Sequence, residues 1–494
     1  MSDAKPRSIV AASAVREIAP APSLLPVAEA LHERCGAWWL DSAQTGGALG
    51  CYSFAGAEPY AVVRAYGNAV EVETLRAVRA DLPSGRAALP GGALDVFRTL
   101  LAPQPMASEA PLPFVGGAVG WLGYELAHAL EPRLGPPRPD AEALPDLALL
   151  LVDRVVALEH ATGRRFACAL GFASDAASAR SRAEAGAEAF AAELAGLPAP
   201  SARPALRRRS AARAATAPRV SLDASDHAKA VAEILERIEA GDAYQANLTH
   251  RFELPFAGDP WELYRALRAS NPAPFAAWLA LPEVAVCGAS PERFVRLAPD
   301  GRVESRPIKG TRPRGADPAS DAALALELSR SEKDRAENVM IVDLVRHDLG
   351  RVCATGSVAV PALRTIESFA TVHHMVSEVT GRLREGQGLA DLLCAAFPPG
   401  SMTGAPKLAA MRILAALEPV RRGIYAGALG WFDVRGGADL AVVIRTALVA
   451  RGRARVHSGG AIVADSRAAD EWRESHDKVR AVLDAVRATA GGWE

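Results

Sequence analysis

Pro307-Ile308-Lys309-Gly310-Thr311-Arg312-Pro313 sets a lysine between an isoleucine and a Gly-Thr turn, and the elements on either side of this stretch decide the fold. Upstream, Trp278, Leu279, Val284, Val286 and residues 294–297 predict two or three short strands. Further back, Ser225 or Asp226 is placed to cap a helix whose apolar face is Val231, Ile234, Leu235 and Ile238. Gly241 ends that helix, and a strand over 244–252 follows. Downstream, the spacing predicts long helices over 319–349 and 468–488, with a shorter one over 404–417. In the first part of the chain, 114–124 reads as a strand whose glycines allow close backbone approach, and 175–195 as an exposed helix. Strands and helices alternate irregularly, with no βαβ rhythm and no internal repeat. That predicts a mixed α+β fold rather than a doubly wound one.

Composition bounds the rest. The 494 residues carry a formal net charge of -1, so no overall field recruits nucleic acid or an anionic membrane. Six cysteines are scattered without CxxC spacing, which suits reduced thiols. The first nine residues are polar, and the longest apolar tract, 144–158, is broken by Asp146, Asp153 and Arg154. A soluble, cytoplasmic protein with no nucleic-acid or membrane partner is expected. Residues 197–219 are rich in Pro, Ala and Arg and poor in large apolar side chains, so they read as a connector. The expected organisation is an N-terminal region 1–197, a linker 198–220 and a C-terminal catalytic domain 221–494.

Two acidic couples carry chemistry. Asp334 and Glu337 lie one turn apart on one predicted helix, and Glu471 and Glu474 do the same on the last, with Lys478 continuing the stripe. Converging carboxylates without His or Cys at ligand spacing would suit a hard ion such as Mg²⁺. Spacing alone favours solvated helix faces paired with Lys333, Arg335, Arg473 or Lys478, since such couples are common on surface helices. Two loops add to the pattern. Residues 397–407, Phe-Pro-Pro-Gly-Ser-Met-Thr-Gly-Ala-Pro-Lys, run into a helix, but Lys407 lacks the following Ser/Thr of a nucleotide-binding loop. Ser458-Gly459-Gly460-Ala461 offers small residues whose N–H groups could cradle a carboxylate.

In this order, the segments resemble the chorismate-utilising family that includes the large subunits of anthranilate synthase and aminodeoxychorismate synthase. Ser-Pro-Glu-Arg-Phe at 290–294, the Lys309 turn, Asp-Arg-Ala-Glu-Asn at 334–338 and 342–352 carry the resemblance. His-His-Met-Val-Ser at 373–377, Gly-Ala-Pro-Lys at 404–407, Ile-Arg-Thr at 444–446 and the closing Glu-x-x-Glu complete it. It is dense over about 225–488 and looser before, mainly at 114–125 and Leu40-Asp41-Ser42. The family implies two packed, largely antiparallel sheets flanked by helices.

Two positions point to a branch. Gln245 stands where relatives that add water at C2 of chorismate have a basic lysine, and an amide cannot take that proton. Lys309 stands where anthranilate synthases typically have alanine, and aminodeoxychorismate synthases resemble this chain there. The resemblance then implies attack of Lys309 on C2, loss of the C4 hydroxyl with Glu292 as acid, and entry of ammonia at C4 to give 4-amino-4-deoxychorismate, the precursor of para-aminobenzoate and folate. It implies Glu337 and Glu474 as direct Mg²⁺ ligands, with Asp334 and Glu471 acting through water. Gly310, Thr311, Tyr425, Arg445, Lys478, Gln245 and the backbone of Gly459, Gly460 and Ala461 would bind substrate. His374 matches a histidine used in pyruvate elimination by anthranilate synthases, whose amination at C2 is the alternative activity, and here it would orient substrate. No cysteine has a glutaminase setting, so ammonia from a separate glutaminase subunit in a heterodimer is expected, as is a tryptophan-type pocket near Leu40-Asp41-Ser42.

Overall fold

The computed structural model describes residues 9–44, 49–104, 106, 111–139, 143–197, 217–369 and 372–491. Two twelve-stranded sheets form its body, and helices flank them. The strand pairs are antiparallel, as the α+β reading requires. Each sheet draws strands from both parts of the chain. In one, Trp38–Asp41 pairs with Phe275–Leu281; in the other, Gly117–Leu122 pairs with Ala428–Asp433. At that second seam Gly120 faces Gly430, and a Cβ on Gly120 would stand 1.9 Å from the Ala148 carbonyl oxygen. This is the close backbone approach expected of the glycine-rich stretch.

Aromatic side chains fill the space between the sheets. Phe114 is fully buried, stacks on Trp431 at 5.3 Å and meets Phe54 edge-on at 5.5 Å. Most of the expected connector, 198–216, lies outside the described residues, but its last part, Arg219–Val220, is a short strand on Gln245–Pro255. The helix Ala176–Ala195 was expected to be exposed. Instead it lays Ala179, Ala183, Ala187, Phe190 and Leu194 inward, its small side chains allowing close packing on the sheet edge.

Other departures have local causes. The helix at 224–239 is capped by Asp223, which accepts from the Asp226 N–H, rather than by Ser225 or Asp226. The single helix expected over 319–349 is two, Pro318–Arg330 and Glu332–Gly350. Ser331 adopts extended dihedrals between them, and its hydroxyl accepts from the Asp334 N–H. The cap starts the second helix afresh, with Asp334 and Glu337 on the face that lines the cavity.

Phe114→Ala should lower unfolding free energy by about 3–5 kcal/mol, the usual cost of emptying a buried aromatic site. Denaturant titration followed by tryptophan fluorescence checks this; a loss below about 1 kcal/mol would mean the aromatic layer is not a packed core.

Candidate active site

A cavity of about 1100 Å³ takes its lining from both sheets and from the helices Glu332–Gly350 and Ala468–Thr489. Two of its side chains sit where the chain crosses between sheets. Val284–Ser290 belongs to one sheet and Arg293–Leu297 to the other, with Glu292 in the crossing. Ala438–Val442 and Thr446–Ala450 cross back the other way, with Arg445 between them. Arg445 holds φ at +49°, a left-handed conformation that side chains other than glycine adopt only where the surroundings impose it.

Lys309 lies on the edge strand Ile308–Pro313, which pairs with Val372–Arg382. The register slips between Ile308 and Thr311, where Gly310 has φ +84° and a Cβ would come within 3.0 Å of Leu328 and Asp334. Glycine is the residue that permits this turn. The Lys309 ammonium donates to the Ser401 carbonyl at 3.4 Å. Burial lowers its pKa, the positive charge of Lys478 adds to this, and Glu337, Glu292 and Glu474 oppose it. Glu292, 5 % exposed, is pushed the other way: burial raises its carboxyl to about 7 against the pull of Ser401, Lys309, the Ile308 N–H and Arg445. The cavity thus holds an amine biased toward its neutral form and an acid biased toward its protonated form.

Arg445 makes no side-chain hydrogen bond or ion pair with the described residues, and burial lowers its pKa. A guanidinium in that state is a ready partner for an anion. Thr311 Oγ shares a 2.8 Å hydrogen bond with His374 Nδ1, and burial holds His374 down to about 3, with Arg445 adding to the effect. His374 is therefore neutral near pH 7. Its neighbour His373 bonds Asp321 and Ser368. Tyr425 lines the cavity, stacked on His457 at 5.0 Å. Residues 459–461 belong to the strand Arg453–Ile462 and pair with Gln245–Pro255, so they are sheet backbone rather than a loop nest; Gly459 and Ala461 line the cavity.

The acidic couples do converge. Glu337, Glu474 and Asp334 line the cavity, while Glu471 lies just behind, 2 % exposed. Glu471 Oε1 accepts from Ser466 at 2.7 Å, and Oε2 is buried with no partner among the described residues. A Cβ on Gly460 would stand 3.0 Å from that Oε2 and 3.7 Å from Glu474 Oε1, which places both glutamates against the same strand. Lysines balance the cluster. Lys478 Nζ lies 2.6 Å from Glu474 Oε1 and donates to the Gly459 carbonyl at 3.1 Å, and Lys478 chiefly holds the Glu474 pKa down. Lys333 Nζ lies 3.9 Å from Glu337 and 3.6 Å from Glu471. Asp334 is tied to Arg312 at 3.2 Å. Among the described residues no three acidic, His or Cys side chains stand close enough to ligate an ion as placed. The donors are nonetheless all carboxylate oxygens, one of them buried and unpartnered, and that chemistry fits a hard divalent cation.

Gln245 is not brought to the cavity wall. It is fully buried, both ends of its amide lack partners among the described residues, and its backbone pairs with Ala405. Asn247, two residues on, takes a place in the lining instead. Sequence reasoning also passed over Arg422. Its buried guanidinium donates to Glu418, to the Met402 carbonyl at 2.7 Å and to the Asn247 carbonyl at 2.8 Å, tying three cavity-forming segments together. Ser401 was legible only as part of the 397–407 loop. Lys407, from the same loop, donates to Asp348 at 2.8 Å and to the Ala396 and Pro398 carbonyls, so it braces the loop from outside the cavity.

The model of the chorismate binding enzyme family matches residues 37–484. The chain belongs to that family. The aminodeoxychorismate synthase of Streptomyces griseus is 42% identical over 459 residues, 92% of this chain and 62% of that protein, so the chain spans under two thirds of its length. Anthranilate synthase component 1 of Streptomyces coelicolor is also 42% identical, over 405 residues covering 80% of this chain and 78% of its own. The crystal structure of anthranilate synthase component I from Streptococcus pneumoniae shares the fold, with a TM-score of 0.73 at 28% identity over 89% of this chain and 93% of that one. Equal identity to two differently named relatives leaves the choice between family activities to individual side chains.

Because His374 is held neutral in the fold to about pH 3, the unfolded chain, with a histidine pKa near 6.5, takes up the proton first. This contribution to stability is complete above pH 6.5 and is lost as pH falls toward 3. His227 and His250, held near 4 and 3 by burial, act in the same direction. Denaturation midpoints should therefore drop between pH 6.5 and 4, and less steeply in His374→Gln; parallel slopes would contradict the burial argument.

Proposed function

We propose that this chain aminates chorismate at C4, giving 4-amino-4-deoxychorismate, with ammonia from a separate glutaminase subunit. One observation carries the reading: the amine of Lys309 is enclosed in the cavity, its pKa lowered, within reach of the charges of Glu292, Glu337 and Glu474. A desolvated amine of this kind is a competent nucleophile.

Substrate recognition comes first. Arg445, unpaired among the described residues, takes one carboxylate of the substrate; Thr311, Tyr425, Lys478 and the backbone of Gly459 and Ala461 complete the hold on its two acids. Neutral Lys309 then attacks C2. Both ring double bonds shift along the diene, the C4–O bond breaks, and Glu292 gives its proton to the departing hydroxyl, which leaves as water. Ammonia adds at C4, both double bonds return to their first positions, and the C2–N bond breaks with its electron pair returning to nitrogen, so Lys309 is released as the neutral amine it began as. Proton exchange between the new ammonium and the Glu292 carboxylate restores the acid. Glu337 and Glu474 would hold Mg²⁺, with Glu471 behind them and Asp334 at the edge, and the ion would supply positive charge against the ring carboxylate.

The partner and setting are part of the same proposal. The chain acts in the cytoplasm in a heterodimer, in keeping with its six free cysteines. No described helix is long and apolar enough to cross a membrane. A second cavity, about 160 Å³, is lined by Leu40, Asp41 and Ser42 and is our candidate for a tryptophan-type ligand. Asp41 there is already paired with Arg268 at 2.6 Å, so a ligand's ammonium would have to share that carboxylate.

Purified protein with chorismate, Mg²⁺ and ammonium should form 4-amino-4-deoxychorismate by liquid chromatography, with no anthranilate fluorescence. Accumulating anthranilate would favour the C2-aminating activity, for which the cavity position of His374 is the supporting feature. Lys309→Ala should abolish the C4 product, and Glu292→Gln should slow turnover roughly 10²–10⁴-fold. Since Glu292 must be protonated to act, the rate should fall as pH rises past about 7; since Lys309 must be neutral, it should also fall toward acid. Loss of the basic limb in Glu292→Gln identifies that limb, and its persistence would remove Glu292 from the role.

A further inference from the structure

We propose that Lys333 is a built-in stand-in for the divalent cation: its ammonium neutralises Glu337 and Glu471 while the metal is away and gives up that place when the metal binds. The proposal rests on reading the acidic cluster as a metal site and adds a residue that reading did not include.

The geometry carries it. Lys333 opens the second helix just after the break at Ser331, one turn before Glu337. From there its Nζ reaches 3.9 Å to Glu337 Oε1 and, across the cavity, 3.6 Å to Glu471 Oε1 on the C-terminal helix. It thus bridges the two helices that carry the acidic couples. Glu471 is 2 % exposed and leaves Oε2 without a partner among the described residues, so one ammonium does not satisfy the site. A compact dication with more coordination positions would do so. The Lys333 side chain is itself 51% exposed, at distances longer than a close ion pair, so it can swing to solvent without unpacking anything. Glu474 has its own closer counter-charge in Lys478, and Glu337 also feels Lys309, so Lys333 is the ammonium that bridges Glu337 and Glu471.

Titration calorimetry of MgCl₂ into the full chain tests this with Lys333→Met, which keeps the stem and removes the charge. Mg²⁺ affinity should rise roughly two- to tenfold, the range expected for removing a half-exposed ion pair that competes with the metal. In parallel, the melting temperature of Lys333→Met should lie below wild type in chelator and reach or pass it in saturating Mg²⁺. An unchanged or weaker Mg²⁺ affinity overturns the proposal. So does a chelator melting temperature equal to wild type, which would mean Lys333 does no more than repel the ion. If wild type takes up Mg²⁺ and the variant behaves identically, only the role of Lys333 fails. If wild type takes up none, the metal reading fails with it.

Discussion

Charge brought out of water has to be matched by nearby opposite charge, and the centre of this molecule is organised around that requirement. At 4 Å and an effective dielectric near 20, one unit pair is worth about 4 kcal/mol, enough to dictate where helices end and which side chains face inward. Glu337, Glu471 and Glu474 converge from two helices, and Lys309, Lys333 and Lys478 converge with them. The balance is uneven by design of position. Lys478 holds Glu474 closely, Lys333 bridges its partners loosely, and Lys309 donates to the Ser401 carbonyl and makes no ion pair among the described residues.

That balance depends on rigid delivery. Glu292 and Arg445 enter from two of the points where the chain passes between sheets, so neither side chain hangs from a free loop. Arg422 fixes the loop carrying Ser401 and Met402 to the strand carrying Asn247, through a guanidinium held by Glu418 and stacked 4.4 Å over the ring of Tyr124. A fully buried pair of this kind contributes definition more than net stability, because desolvation offsets most of its Coulomb energy. The consequence is a cavity whose polar groups are set before any ligand arrives, which is what transition-state stabilisation by fixed charges requires.

Much of this was legible in the order of residues. The two acidic couples and the helices that carry them follow from local spacing, and local spacing survives folding; the strand Arg453–Ile462 does not, since its small residues read equally as a loop until Gln245–Pro255 pairs with them. The break at Ser331 was also written locally, as a serine three residues before Asp334, but the strong helical pattern on both sides concealed it. What could not be read is what depends on distance along the chain: that Lys333 would meet Glu471, that Arg422 would reach Asn247, and that Gln245 would be covered while Asn247, two residues on, joined the cavity lining.

Both sheets run without interruption through the early and late parts of the chain, and this limits how the protein can be divided. A fragment starting at residue 217 would retain every group in the cavity lining yet expose Phe275–Leu281 and Ala428–Asp433 as raw edges, stripped of Trp38–Asp41 and Gly117–Leu122. Unpaired edges of that length recruit other strands, and such a fragment is headed for self-association rather than catalysis. The first part of the chain is therefore less an appendage than the other half of a zip fastener.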